Sequence, residues 1–172
     1  IGFGNRSNIG SALADMNGYF GTTFIVDTQV FGTTSITASG IDVATGTFFI
    51  RSQVYNVVPT RGSVGSVVTI SGTGYGDNDN INVTFGTSAV IKQTAADIRG
   101  WFSTTFTVDT QVFGTTTIVA KGGVAATAMA GNVFFIHPQV SQVSPANGTV
   151  GSVVSVAGTG YAANDSLTVS FG

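Results

Sequence analysis

His137 is the only imidazole in the sequence, and Asp77, Asp79, Asp27 and Asp109 are the carboxylates whose placement could do chemistry. General acid–base or nucleophilic catalysis needs several such groups converging on one point. His137 stands immediately before Pro138, and the equivalent position in an internally related stretch is Arg51. A Ser-His-Asp set therefore cannot be built twice, and His137 reads as a linker or interface residue. The run GDNDN at 76–80 has the oxygen-rich look of a calcium loop, with Asp77 and Asp79 as its ligands. Its counterpart AANDS keeps only Asp165, so a loop turn is the better expectation. Asp27 and Asp109 each sit in VDTQVFGTT, where a lone carboxylate usually caps a turn or strand end. GTGYG resembles a phosphate loop by composition, but no helical pattern follows to supply a dipole. With no cysteine there are no disulfides, thiolate metal sites or thiol nucleophiles. The expectation is a protein that is not an enzyme, with no catalytic, cofactor-binding or metal residues and no cofactor.

What remains is contact chemistry. Tyr19 and Trp101 occupy equivalent positions beside the apolar Phe20 and Phe102, on the opposite strand face, where an aromatic packs on a neighbour or stacks on a sugar. Phe31 and Phe113 lie in the identical nonapeptide, placed either to cap a sandwich end or to plug into the next module. Four N-x-S/T sequons, at Asn5, Asn82, Asn147 and Asn164, are candidate glycosylation sites, Asn82 and Asn147 foremost.

The elements that must hold these residues come from a repeat. DMNGYFGTTFIVDTQVFGTT at 15–34 matches DIRGWFSTTFTVDTQVFGTT at 97–116, an offset of 82. FFI recurs at 48 and 134, VxxVxPxxGxVGSVV at 54 and 140, and GTGY at 72 and 158, all offset by 86. The extra four residues fall where TGTFF becomes TAMAGNVFF, as loop insertions do. Within a unit, period-2 alternation marks strands: Val68 and Ile70; Ile81, Val83 and Phe85; Phe102, Phe106 and Val108; Ile118 and Ala120; Phe134 and Ile136. Their counterparts are Val154, Val156, Leu167, Val169, Phe171, Phe20, Phe24, Val26, Ile36, Ala38, Phe48 and Ile50. Asn17-Gly18 and Arg99-Gly100 fall where a hairpin should turn. Twenty-four glycines and only 8% charged residues, with Thr, Ser and Val filling much of the rest, favour an all-β protein. A net charge of −2 with no Lys/Arg cluster argues against nucleic acid, and no apolar run is long enough to span a bilayer, so no membrane insertion is expected.

The order VxxVxPxxGxVGSxVxIxGTGY, VxFG, DxxGxFxxxFxVD, GTxxIxAxG, FFI, read from Val54, resembles the IPT/TIG class of immunoglobulin-like domains found in tandem in large prokaryotic surface proteins. Tyr75 and Tyr161 stand where that class commonly has Phe. The resemblance implies tandem immunoglobulin-like β-sandwich repeats of about 82 to 86 residues, with a split domain at the chain ends. In that frame 1–53 is the C-terminal half of one domain, 54–138 a complete domain, and 139–172 the N-terminal half of another, completed by a neighbouring chain or copy. The expected function is a structural repeat unit of an extracellular filament or surface-layer fibre, a head-to-tail homopolymer at the cell surface, either one continuous polypeptide or strand-donating subunits. The alternative is an adhesin stalk or carbohydrate-binding module, with glycans as partners.

Overall fold

The computed structural model describes residues 1–123 and 132–172, and the described residues hold strands and no helix. In chain order the strands are β1 Gly2–Phe3, β2 Gly32–Ser39, β3 Val43–Ile50, β4 Gln53–Val58, β5 Arg61–Gly62 and β6 Val67–Thr73. They continue with β7 Asn80–Phe85, β8 Ser88–Ala95, β9 Phe102–Thr107, β10 Gly114–Gly122, β11 Asn132–Ile136, β12 Gln139–Ser144 and β13 Ser155–Thr159. Most of the longer segment of the loop insertion expected from sequence, TAMAGNVFF, lies outside the described residues.

In the central stretch two sheets share one core. One has the order β4-β6-β9, the other β5-β11-β10-β7-β8. Every pairing is antiparallel except β11 with β5, where Phe135 and Ile136 run parallel to Arg61 and Gly62. The alternation explains the layering: Val68 and Ile70 of β6 and Phe102 and Phe106 of β9 meet Ile81, Val83 and Phe85 of β7, Ile118 and Ala120 of β10, and Phe134 and Ile136 of β11 in one buried cluster. Each large apolar side chain buried this way contributes about 1.5–3 kcal/mol. The intervening Thr105 and Asn82 face outward.

The flanking stretches repeat this geometry in part. Phe3 packs 5.2 Å from Phe24 and 5.8 Å from Phe48, as Phe85 does with Phe106 at 5.2 Å and Phe134 at 5.9 Å. Phe3 pairs with Ile36 across β1–β2, as Phe85 pairs with Ile118 across β7–β10. At the other end Val143 faces Val156 as Val57 faces Ile70, and the register shift between Val140 and Gln142 matches that between Val54 and Asn56.

Four elements differ from the sequence expectation. The alternating stretches around Phe20–Val26 and Leu167–Phe171 form no strands, although their equivalents β9 and β7 do. Alternation specifies which face is apolar, but a strand needs a hydrogen-bonded edge to lie on. Phe20 is left 44% exposed, Leu167 56% and Phe171 104%. The Arg99-Gly100 turn joins β8 to β9, which belong to different sheets, so it is a crossing and not a hairpin. Strand β8 itself was not foreseen, because as an edge strand it buries no side chain fully and SAVIKQTA shows no clean alternation.

Candidate contact sites at the junctions

Two places link the repeats, and they have the same construction. The backbone N–H of Phe31 donates to the Tyr75 carbonyl at 2.9 Å, and that of Phe113 donates to the Tyr161 carbonyl at 3.1 Å. Phe31 meets Phe49 edge-on at 5.3 Å, and Phe113 meets Phe135 edge-on at 5.3 Å. Phe31 is half-buried and packs against the central core, while Phe113, whose neighbour Tyr161 lacks a filled core, stays exposed. The two junctions lie at opposite ends of β10: Tyr75 donates its hydroxyl to Ala120 O at 3.1 Å near one end, and Phe113 immediately precedes the other.

The nonapeptide VDTQVFGTT positions each phenylalanine through its buried glutamine. Gln29 Nε2 donates to Asp27 Oδ1 at 2.7 Å, and Gln111 Nε2 to Asp109 Oδ1 at 2.9 Å. The second carboxylate oxygen of Asp27 holds Arg6 Nε at 2.8 Å; that of Asp109 accepts from the Ser88 hydroxyl. Both aspartates thus act as anchors of a loop. Gly4 and Gly86, with φ of +56° and +53°, lie so close to Gln29 and Gln111 that a Cβ on either would collide with the amide oxygen. The glycine, the glutamine and the aspartate form one clamp that sets where Phe31 and Phe113 emerge.

Across the junction, the glycine of GTGY lets the chain pass the preceding linker. Gly160 has φ +76°, and a Cβ there would come 2.6 Å from the His137 carbonyl. Gly74, at φ +74°, lies against the Arg51 carbonyl in the same way. The linker residue enters through its backbone, so its side chain is free to be Arg or His. The His137 N–H donates to Gly62 O at 2.8 Å, and its half-buried ring lies 5.1 Å from Phe135.

Tyr75 is the centre of the completed junction. Its side chain is fully buried and meets Phe102 edge-on at 5.1 Å. Burial raises its hydroxyl pKa well above the ordinary value, and the nearby Asp79 carboxylate adds to the rise. Asp79 is buried and accepts the Gly123 N–H at 2.9 Å, whereas Asp77 is exposed and accepts from Asn78 Nδ2 at 2.6 Å; Asp165 is exposed. Among the described residues no three His, Cys, Asp or Glu side chains gather as a metal site would require.

Trp101 donates its indole N–H to the Tyr55 hydroxyl at 2.9 Å and remains 38% exposed, while Tyr19 is 72% exposed. The turns beneath them are alike: Asp97 Oδ1 accepts the N–H of Arg99 and Trp101 at 2.8 and 2.9 Å, and Asp15 Oδ1 does the same for Asn17 and Tyr19. All four sequon asparagines are exposed; Asn5 accepts from Gln29 at 3.1 Å, Asn82 from Gln93 at 2.9 Å, and Asn164 has φ +59°. Sequence reasoning missed Tyr75 and Tyr161 as junction partners. Their link to Phe31 and Phe113 runs through main-chain atoms, and the recurrence of GTGY is its only trace in the sequence. No protein-family model, curated protein or solved structure matches the chain.

Proposed function

We propose that the chain is a structural repeat unit of an extracellular filament or surface-layer fibre, built from immunoglobulin-like modules arranged head to tail. In this arrangement 54–138 is the complete module, and the half modules 1–53 and 139–172 are made whole by the neighbouring copy, whether that neighbour is a separate chain or the next stretch of the same one. The observation that carries this is a contrast between equivalent positions: Phe102 and Ile81 are at most 1% exposed, while Phe20 and Leu167 are 44% and 56% exposed. A repeated apolar face that is covered in one copy and bare in the others calls for a cover of the same chemistry. Two further features support it. The junctions Phe31·Tyr75 and Phe113·Tyr161 apply one module-to-module relation twice, and a relation repeated in one direction generates a linear assembly that does not close. With only 8% charged residues, neighbouring surfaces meet without desolvating many ions.

Negative-stain microscopy of the native material tests the proposal. Long filaments with an axial repeat of two modules are expected, each module at least about 30 Å long from the rise of a nine-residue strand such as β10. Dispersed short rods would defeat it. The exposed pair Trp101 and Tyr55 motivates the second reading, a glycan-binding stalk, and glycan binding lost on Trp101→Ala would favour that one.

A further inference from the structure

We infer that the completing contact has one defined register: residues 153–158 of one copy pair antiparallel with residues 20–25 of a second copy, Val154 opposite Phe24 and Gly158 opposite Phe20. The inference rests on the head-to-tail reading above and names the strands that realise it.

The template is the β6–β9 pairing of the central stretch, where Val68 faces Phe106, Thr69 faces Thr105 and Gly72 faces Phe102. Strand β6 is flanked by β4 on one edge and β9 on the other. Its equivalent β13 is flanked by β12 alone, and among the described residues its second edge pairs with no strand. The equivalent of β9, residues 20–25, lies on no ladder. Among the described residues, two edges with matching alternation are therefore left without a partner strand. Val154, Val156, Phe20 and Phe24 would face inward, and Ser155 and Thr23 outward. At the position where the Ser71 and Ser103 hydroxyls bond at 3.0 Å, the new pair is Ala157 with Gly21, two small residues without polar groups to satisfy.

The loop after β13 completes the fit. Tyr161 would lie edge-on against Phe20 and donate its hydroxyl to Ala38 O of the second copy, as Tyr75 does to Phe102 and Ala120. Asp165 would accept the N–H of Ile41, as Asp79 accepts that of Gly123; Ile41 is fully exposed in the single chain. One slot is already taken: Gly2 and Phe3 pair with Thr37 and Ile36, where Phe171 would otherwise dock by analogy with Phe85 on Ile118. The entering segment is accordingly β12, β13 and the loop beyond, without Val169–Gly172.

The chain has no cysteine, so introduced thiols report cleanly. The test is Thr23→Cys with Ser155→Cys in the 172-residue chain, under mild oxidation, read on a non-reducing gel. Directly opposed residues in an antiparallel ladder have Cα atoms about 4.5–5.5 Å apart, inside the range a disulfide spans. A ladder of covalent multimers is expected. The pair Thr22→Cys with Ser155→Cys, whose side chains would point to opposite faces, should give none. Sedimentation without oxidant measures association independently. Association without the expected ladder, or equal ladders from both pairs, overturns this register and leaves head-to-tail assembly standing. A monomer with no intermolecular disulfide, or one closed by an internal disulfide, overturns both.

Discussion

Gly18 and Gly100 occupy the same position in the same turn, and alanine should act on them through different physics. Their φ angles are +78° and +75°, so an alanine at either costs about 1–2 kcal/mol for the left-handed backbone. A Cβ on Gly18 meets nothing within 4 Å, whereas one on Gly100 would overlap the carbonyl oxygen of Tyr75. To escape, the Gly100 turn must lift away, breaking the Tyr75 N–H···O=C Gly100 bond of 3.1 Å and loosening Phe102 from Tyr75. That bond is worth about 1 kcal/mol, with a similar loss from packing, for a total of about 3–4 kcal/mol. For a unit of this size the melting temperature should fall by more than about 10 °C. Trp101, the only tryptophan, adjoins the turn and reports the transition by fluorescence. Gly18→Ala should leave that transition in place. In the completed half module the Gly18 turn would press on Tyr161 of the second copy, so the same variant should abolish association in sedimentation velocity. A Gly100→Ala melt within about 2 °C of the parent would refute the docked-turn geometry. A Gly18→Ala chain that associates like the parent would refute the completing contact.

Gln111→Ala removes a buried amide bonded to Asp109 at 2.9 Å and Phe85 O at 3.4 Å, and should cost about 1–3 kcal/mol in a denaturant titration, with no change in the fold's circular dichroism. Tyr75→Phe deletes the hydroxyl bond to Ala120 and should cost about 1 kcal/mol at neutral pH. The raised pKa of Tyr75 means that the folded chain holds this proton after the unfolded chain has lost it. Its contribution is therefore complete below about pH 10 and declines as pH rises beyond that, and the decline should be shallower in Tyr75→Phe when stability is measured from neutral pH to pH 11.

The strands that bury a clean alternating face were legible in the residues: Val68 and Ile70, Ile81 to Phe85, Phe102 to Phe106 and Phe134 with Ile136 all lie where the period-2 pattern puts them. What escaped has two physical causes. Strand β8 and the two-residue β5 are edges, held by main-chain bonds that side-chain patterning does not encode. Around Phe20 and Phe171 the pattern is present and the strand is absent, because pairing depends on a partner and not on the segment alone. The contacts at the junctions divided similarly. Phe31 and Phe113 stood out because their nonapeptide recurs letter for letter, but the carbonyls they bond to carry no signature of their own.

The carbonyls of Arg51 and His137 lie against Gly74 and Gly160, and in the proposed head-to-tail array this would give a form of tolerance. A close approach made by carbonyl and glycine does not depend on which functional group the residue displays. In a filament built that way, the side chains displayed at these two positions could drift from one repeat to the next without disturbing the contact, provided the glycines do not change.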